Sequence, residues 1–270
     1  MNTKEPLVSI ICTVKNGENT LDRTINSVMA QTYKNWEMII IDDGSTDFTF
    51  EVLNHYSKIC RKIYTFSTEG IGRGNALNKG ISVSNGTLIT ILDADDLIHP
   101  EKLTLQVEMF KENDIFLVST DTEIIYESDS PKWEDSKEGV IGFTDITKKI
   151  LVKNIIHHSS VMMNKETLLR IGQYNTERTS QFDYELWLRA YDNNEKILNI
   201  DRKLTAKRIH SHQSYENRRR LKYILSSSML QLKYNLKFKN YHLIIIFPVR
   251  LIFGMLPFKK RQFIKKILIP

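Results

Sequence analysis

One short stretch constrains the fold more than any other, because an apolar strand ends there in three acids. Residues 89–92 are apolar or β-branched, and they lead directly into Asp93-Ala94-Asp95-Asp96. Clustered carboxylates repel one another, so they need solvent or a cation. A divalent metal that also holds phosphate oxygens satisfies that need. The pattern therefore predicts a candidate cation site at the carboxyl end of a buried strand.

The same design occurs once more, earlier in the chain. Residues 36–41 are mostly apolar and run into Asp42 and Asp43. In open α/β sheets, ligands bind beyond the carboxyl ends of the strands. Strand-like and helix-like segments alternate from Val8 to Phe110, which predicts a Rossmann-like α/β sheet. We therefore expect both acidic segments to lie at one ligand-binding edge.

The spacing of apolar residues also predicts individual elements. We expect strands at 8–13, 36–41, 62–66, 115–120 and 123–127, and helices at 20–31, 75–84, 144–152, 165–171 and 182–191. Asn19, Ser45 and Pro100 are expected to begin helices. Residues 127–139 are polar and charged, which predicts a mobile loop. Trp133 in that loop either anchors it or stacks on a sugar.

Charge is distributed unevenly along the chain. Residues 202–270 hold 17 Lys and Arg against one acid, Glu216, whereas residues 1–201 hold 21 bases and 31 acids. Basic segments bind anions, either nucleic acid or acidic lipid headgroups. We expect an acidic catalytic domain at 1–215 and a basic, amphipathic, membrane-associating helical region at 216–270.

The basic region carries a long apolar run. Residues 243–258 form a run of 16 residues that contains Pro248 and Arg250, which is short of the roughly 20 apolar residues that cross a bilayer. Lysine and arginine then alternate with apolar residues, as in segments that lie on anionic membranes. We favour peripheral binding to an anionic membrane surface. A basic helix packed on its own catalytic domain and a nucleic-acid-binding region are the alternatives.

The cysteines and the N-terminus indicate a compartment. Cys12 lies in an apolar strand and Cys60 is distant from it in sequence, so we expect buried or free thiols in a reducing environment rather than a disulfide framework. The first six residues contain no apolar signal region, so we expect no secretion.

Several segments, in this order and spacing, resemble family 2 glycosyltransferases of the GT-A fold. They are Val8-Ser9-Ile10-Ile11, Asn16-Gly17-Glu18, Gln31-Thr32-Tyr33, Ile41-Asp42-Asp43-Gly44-Ser45-Thr46-Asp47, Ala76-Leu77-Asn78-Lys79-Gly80-Ile81 and Leu92-Asp93-Ala94-Asp95-Asp96. Each is a weak signal alone, and their joint occurrence is highly specific. The resemblance covers residues 7–213 and implies a mixed, mostly parallel sheet flanked by helices, to which the basic helical tail is added.

This resemblance implies the ligands and the residues that hold them. It implies a nucleotide-sugar donor, UDP-linked in our expectation, and a divalent metal, Mg²⁺ or Mn²⁺. It implies Asp93-x-Asp95 as the metal-binding DXD element, with the metal on Asp95 and on His210, for which His212 is the competitor. The residues expected at the donor are Thr13, Asn16, Glu18, Asp43, Arg73, Asp93 and Ala94, with Asp43 and Thr13 at the nucleobase. His158 is expected to line the acceptor pocket.

A second region of resemblance supplies the catalytic residue. Phe182-Asp183-Tyr184-Glu185-Leu186-Trp187-Leu188-Arg189 resembles the family's Glu-Asp-x-x-Leu-Trp helix, in which the Asp is the general base, so that role falls on Asp183. A neutral hydroxyl is a poor nucleophile, and a positioned carboxylate must take its proton. Two residues depart from the pattern: Phe182 replaces the usual Glu, and Lys15 stands where many members have Tyr.

The function expected from these observations is that of an inverting, metal-dependent hexosyl- or N-acetylhexosaminyl-transferase. Its acceptor is expected to be lipid-linked or a surface glycan, at the cytoplasmic face of a bacterial plasma membrane, with no nucleic-acid partner. The alternatives are a catalytically weak sugar-nucleotide-binding protein and a basic nucleic-acid-binding protein.

Overall fold

The structure is a computed structural model that describes residues 5–112, 114–127, 129–133, 142–209 and 220–244, together with Pro248 and Leu256. It divides into two compact units. The larger is formed by Met1–Ile150 and Ile155–Ser211, and the smaller by Leu151–Asn154 and His212–Pro270. Among the sequence-based candidates, His210, His212 and most of the apolar run at 243–258 lie outside the described residues.

One mixed sheet forms the centre of the larger unit, as predicted. Its strands are β1 (Val8–Val14), β2 (Trp36–Asp42), β3 (Ile63–Ser67), β4 (Leu88–Ile91), β5 (Leu97–Ile98), β6 (Leu117–Tyr126), β7 (Phe143–Asp145), β8 (Met162–Asn164) and β9 (Ile197–Ile209). Within the described residues the strand order is β3-β2-β1-β4-β8-β6-β9-β5, and β7 also pairs with β9. The long pairings are parallel, and the antiparallel ones involve the short strands β5, β7 and β8.

Helices cover this sheet. They are α1 (Leu21–Met29), α2 (Thr49–Ile59), α3 (Arg73–Val83), α4 (Lys102–Glu112), α5 (Lys165–Arg170) and α6 (Phe182–Asp192). The apolar strands β1 and β2 are buried almost throughout, as is typical of central strands covered on both faces. Within α3, Gly80 permits close packing on β1, since a Cβ there would lie 2.6 Å from Cγ2 of Ile11.

Strand register brings the acidic segments to one edge of the sheet. In β1, Thr13 lies opposite Ile41 of β2, and Ile11 lies opposite Ile91 of β4. The three strands are parallel, so their carboxyl ends leave the sheet side by side. Asp43 follows β2 and Asp93 follows β4 at this edge.

Some of the predicted elements are wrong. Residues 144–152 are not a helix: strand β7 occupies Phe143–Asp145, and a 3-10 turn covers Lys149–Leu151. The Asp145 carboxylate accepts the backbone N–H of Thr147 at 2.9 Å, and this local turn replaces the first turn of the predicted helix. The two strands predicted at 115–120 and 123–127 form the single strand β6.

The predicted helix starts also differ from those observed. Helix α1 follows Thr20 rather than Asn19, and α4 begins at Lys102, two residues after Pro100. Helix α2 follows Phe48, because the Ser45 hydroxyl instead accepts the backbone N–H of Asn16 at 2.9 Å. Capping residues in this chain therefore bind neighbouring loops as well as helix ends.

Of the two roles expected for Trp133, the structure supports the anchor. Its ring packs edge-on against His99, with ring centroids 5.3 Å apart. Strand β9 was not predicted. The middle of this strand carries Asp201, Arg202 and Lys203, which hides the apolar alternation on which a strand prediction depends.

The smaller unit contains helices α7 (Arg220–Lys237) and α8 (Tyr241–Ile244). In α7, Leu230 and Tyr234 are buried, whereas Leu225, Met229 and Leu236 are exposed. Within the part of the chain that the structure describes, every helix is too short or too polar to traverse a bilayer.

Candidate functional site

The guanidinium of Arg73 is the centre of the candidate site. It forms an ion pair with the Asp93 carboxylate, and one of its nitrogens lies 3.3 Å from Nδ1 of His158. Burial lowers the pKa of Arg73, but the charges of Asp93, Asp183 and Asp95 outweigh burial and raise that pKa. The structure thus brings the predicted donor, base and acceptor residues around one cation.

The same ion pair controls the ionisation of Asp93. Burial raises the pKa of its carboxyl group, but the Arg73 guanidinium and a hydrogen bond from His158 hold that pKa well below its usual range. The backbone N–H of Asp93 also donates to the Ser159 hydroxyl at 3.0 Å. Asp93 is therefore an ionised, fixed carboxylate at the end of β4.

His158 sits in an aromatic pocket beside Arg73. Its Nε2 lies 2.8 Å from the Tyr174 hydroxyl, and its ring makes edge contacts with Tyr174 and Phe182. Nδ1 of His158 also lies 3.8 Å from the Asp93 carboxylate, so this nitrogen faces both members of the ion pair. Tyr174 was not predicted, because nothing in its local sequence distinguishes it from a core residue.

The loop that contains Tyr174 is fastened from two sides. The Asn78 side chain donates to the Tyr174 carbonyl at 2.8 Å and accepts its N–H at 3.1 Å. Arg189 donates to the carbonyls of Ile171 and Gln173 and pairs with Glu185 at 2.9 Å. Arg189 therefore holds α6 to this loop, and Glu185, one turn earlier in the same helix, orients the Arg189 guanidinium. Asp183 lies in the first turn of that helix.

Asp96 is a second carboxylate in the acidic turn that contains Asp93, and it is buried. It accepts the Ser159 hydroxyl at 2.5 Å and the backbone N–H of Arg208 at 3.0 Å. Burial and the charges of Asp93 and Asp95 raise its pKa well above the ordinary value. The backbone of this turn is held by Thr24, whose hydroxyl donates to the carbonyls of Ala94 and Asp96.

The acidic turn can hold a cation. Ligand atoms of Asp93, Asp96 and His157 all lie within 4.8 Å of one another, and oxygen and imidazole nitrogen are donors that divalent ions accept. Burial lowers the pKa of His157 to about 3, so its imidazole is neutral, and its buried Nδ1 has no hydrogen-bond partner among the described residues. These groups fit a divalent metal. The sequence indicated the acidic run 93–96 with Asp95 as the ligand, and it did not single out Asp96 or His157 as ligands.

Asp43 is connected to Arg73 through the glycine-rich loop. Its carboxylate accepts the Thr68 hydroxyl at 2.7 Å and the backbone N–H groups of Ile71 and Gly72 at 2.7 and 2.9 Å. Gly72 has a φ of 86°, in the left-handed region that favours glycine, and it immediately precedes Arg73. The first acidic segment thus fixes the loop that presents the central cation.

Asn16 and Glu18 hold a neighbouring loop. The Asn16 side chain accepts the backbone N–H of Thr46 at 2.8 Å, and Glu18 accepts that of Phe48 at 2.8 Å. Thr13 is half-buried at the end of β1. Asn16 and Glu18 thus connect the β1–α1 loop to the β2–α2 loop, and among the described residues they make no hydrogen bond to the Arg73 cluster.

Comparison with known proteins gives the relationships of the chain. The profile described as "Glycosyl transferase family 2" matches residues 9–172. An uncharacterized glycosyltransferase of Rickettsia typhi is 34% identical over 197 residues, which cover 70% of this chain and 59% of that protein. The putative teichuronic acid biosynthesis glycosyltransferase TuaG of Bacillus subtilis is 31% identical, with 70% and 73% covered. The chain thus spans less than two thirds of the length of the Rickettsia relative.

Solved structures of S. aureus TarS share the fold. The complex of TarS 1–349 with UDP-GlcNAc has a TM-score of 0.69 at 17% identity, covering 90% of this chain and 72% of that one. The complex with UDP has a TM-score of 0.63 at 16% identity, covering 85% and 65%. The GT-A fold predicted from the sequence is confirmed. The profile match, the identity to TuaG and this fold agree: the chain belongs to glycosyltransferase family 2.

Proposed function

We propose that this glycosyltransferase is a metal-dependent, inverting hexosyl- or N-acetylhexosaminyl-transferase that uses a UDP-linked sugar. The single observation that carries the proposal is the position of Asp93 and Asp183 around Arg73, which joins a donor-side carboxylate, a cation and a base in one site. The TarS complexes with UDP and UDP-GlcNAc support the choice of donor. The assignment of TuaG as a putative teichuronic acid biosynthesis glycosyltransferase supports a lipid-linked or surface-glycan acceptor.

The donor would lie along the carboxyl edge of the sheet. Asp43 and Thr13 would contact the nucleobase, while Asp93 and Arg73 would contact the sugar-nucleotide and its diphosphate. Because Arg73 is 43% exposed in its ion pair with Asp93, its remaining donors are accessible to an anionic ligand. Asn16, Glu18 and Ala94 would support the walls of this crevice.

Asp183 would act as the general base in a single displacement. The carboxylate takes the proton of an acceptor hydroxyl, the hydroxyl oxygen forms a bond to the anomeric carbon, and the bond from that carbon to the diphosphate oxygen breaks. Attack from the face opposite the leaving group inverts the configuration. Arg73 offsets the negative charge that develops on the diphosphate. His158, beside Arg73, would line the acceptor side.

A divalent metal, Mg²⁺ or Mn²⁺, would be held at the acidic turn. Asp95 and His210 remain our proposed ligands from the sequence, and Asp93, Asp96 and His157 form the group that fits a cation among the described residues. When bound, the metal supplies positive charge that stabilises the departing diphosphate.

The basic C-terminal region, residues 216–270, would place the enzyme on the cytoplasmic face of a bacterial plasma membrane. Helix α7 supports this assignment, because it exposes apolar side chains at Leu225, Met229 and Leu236. Lys233 and Lys237 on the same helix supply positive charge for anionic headgroups. Sedimentation with anionic liposomes tests it. Salt-sensitive DNA binding without liposome binding would instead favour a nucleic-acid-binding protein.

A panel of nucleotide sugars, screened by thermal shift with and without Mn²⁺ or Mg²⁺, tests the proposed donor. A ligand that binds only the folded state raises the melting temperature, so we expect one UDP-sugar to stabilise the protein in a metal-dependent way. Stabilisation without donor turnover would indicate a catalytically weak binding protein. Absence of any response across the panel contradicts the proposed function.

A further inference from the structure

The first residue of α6 packs against the first residue of α3. The guanidinium carbon of Arg73 lies over the face of the Phe182 ring, 5.4 Å from its centroid. This distance is within the range of an attractive cation–π contact. Arg73 therefore has three kinds of neighbour: a carboxylate, an imidazole nitrogen and an aromatic face.

Two neighbouring rings fix the orientation of Phe182. Its ring meets His158 edge-on at a centroid distance of 5.8 Å, and it meets Tyr174 edge-on at 5.9 Å. His158 and Tyr174 are both buried, and a hydrogen-bond contact joins their side chains to each other. The aromatic face is thus a rigid support for the guanidinium, held by residues that do not themselves carry a negative charge.

An aromatic face supports a cation differently from a carboxylate. It attracts the guanidinium through the ring quadrupole, but it accepts none of the strong in-plane N–H bonds and adds no negative charge. A carboxylate at the same place would bind Arg73 through a planar, bidentate contact and would compete with any anionic ligand. The charge of Arg73 stays available at the edge that faces Asp93.

We propose that Phe182 is a positioning residue that holds Arg73 over its ring, so that the guanidinium stays beside Asp93 and His158 and can still bind an incoming diphosphate. In the structure the guanidinium pairs with the Asp93 carboxylate. When donor binds, the same guanidinium turns its N–H groups to the diphosphate without leaving the ring. The second half of this statement rests on the proposed function.

The test compares four variants: Phe182→Leu, Phe182→Trp, Phe182→Glu and, as a control for lost core packing, Phe116→Leu. The first readout is the dissociation constant for UDP, measured by calorimetry at saturating Mg²⁺. A cation–π contact of ordinary strength corresponds to about a two- to thirtyfold change in affinity. We expect Phe182→Leu to weaken UDP binding by such a factor, Phe182→Trp to retain affinity and Phe116→Leu to lose stability only.

A double-mutant cycle shows whether Phe182 acts through Arg73. In an Arg73→Met background, Phe182→Leu is expected to cause no further loss of UDP affinity, because the cation that the ring supports is already gone. An equal loss in both backgrounds overturns the proposal, since it would show a contribution of packing alone. Wild-type affinity in a folded Phe182→Leu variant overturns it as well.

The second readout needs no nucleotide. Crystal structures of the unliganded variants should show Arg73 in place over the tryptophan ring of Phe182→Trp, and drawn away from Asp93 in Phe182→Glu. An Arg73 that keeps its position in both Phe182→Leu and Phe182→Glu contradicts the proposal. If the wild-type protein binds no UDP, the proposed donor is wrong, and these structures alone decide the role of Phe182.

Discussion

The backbone N–H of Gly72 donates to the carboxylate of Asp43 at 2.9 Å, and this bond ties the glycine-rich loop to the end of β2. The same carboxylate also accepts from Ile71 and Thr68, so one acid satisfies three donors. Arg73 follows Gly72 directly, so the position of its guanidinium depends on Asp43, which follows β2. The acid with which Arg73 pairs, Asp93, follows a different strand, β4.

Replacement of Asp43 is expected to loosen this loop. In Asp43→Ala, two backbone N–H groups and a hydroxyl lose their acceptor, and a partner left unsatisfied costs about 1–3 kcal/mol when it stays buried. We predict a fall in the free energy of unfolding in that range and faster hydrogen exchange at Ile71 and Gly72. Urea unfolding and exchange mass spectrometry measure both. Unchanged exchange at the two amides contradicts this role.

Two glycines of α3 give a matched pair of predictions on packing. An added Cβ at Gly80 would lie 2.6 Å from Cγ2 of Ile11, whereas at Gly74 the nearest atom is Cα of Thr176 at 3.5 Å. Overpacking a core costs about 1–3 kcal/mol. We expect Gly80→Ala to lower the free energy of unfolding by that amount, and Gly74→Ala to leave it unchanged or slightly raised. Equal effects would show that helix propensity alone governs both sites.

A buried lysine predicts an unusual dependence of stability on pH. Lys102 is fully buried, where its amine donates to Thr90 at 3.1 Å and to Gln106 at 2.8 Å. Burial disfavours the ammonium and lowers its pKa from 10.5 to about 7. Between these two values the unfolded chain binds more protons than the folded chain, so the free energy of unfolding rises with pH.

The size of this effect follows from the two pKa values. Between pH 7 and pH 9 the contribution of Lys102 to the free energy of unfolding should rise by about 2 kcal/mol. Lys102→Met removes the titrating group, so the wild-type advantage over this variant should grow across that interval. Urea unfolding at several pH values measures the difference. Parallel curves for the two proteins would show that the amine does not titrate in this window.

The cation site predicts a direct metal-binding result. Asp93 belongs both to the candidate ligand group and to the ion pair with Arg73. We expect Asp93→Asn to weaken Mn²⁺ binding, measured by electron paramagnetic resonance in the presence of UDP, by at least about tenfold. Asp121→Asn, on the side of the sheet where Asn199 donates to Asp121 at 2.9 Å, is the control. Equal Mn²⁺ affinity in the wild type and Asp93→Asn places the metal elsewhere.

The part of the fold that the sequence predicts well is the part built from strongly patterned segments. Strands β1 and β2 are apolar runs that end in turn residues, and α3 and α6 carry apolar residues at helical spacing. Their order alone indicates a parallel sheet, and parallel strands place Asp43 and Asp93 at one edge. These inferences need only local patterns and one rule of topology.

The parts that the sequence does not predict depend on contacts between distant residues. Tyr174 and His157 enter the site because Asn78 and Ser159 hold their loops in place, and no local pattern marks those pairings. The role of Phe182 depends on which cation lies over its ring, which is a tertiary fact. Strand β9 pairs with β6 along most of its length, although charged residues interrupt its apolar pattern and the register shifts around Asp121.

The proposed general base, Asp183, provides the most direct test of the proposed mechanism. Asp183 lies near Arg73 in the first turn of α6, and Asp192 ends the same helix. We predict that Asp183→Asn lowers kcat for sugar transfer by about 10²- to 10⁴-fold, with the UDP dissociation constant unchanged, while Asp192→Asn leaves both unchanged. Transfer at the wild-type rate by a correctly folded Asp183→Asn variant would contradict the central claim that this carboxylate takes the acceptor proton.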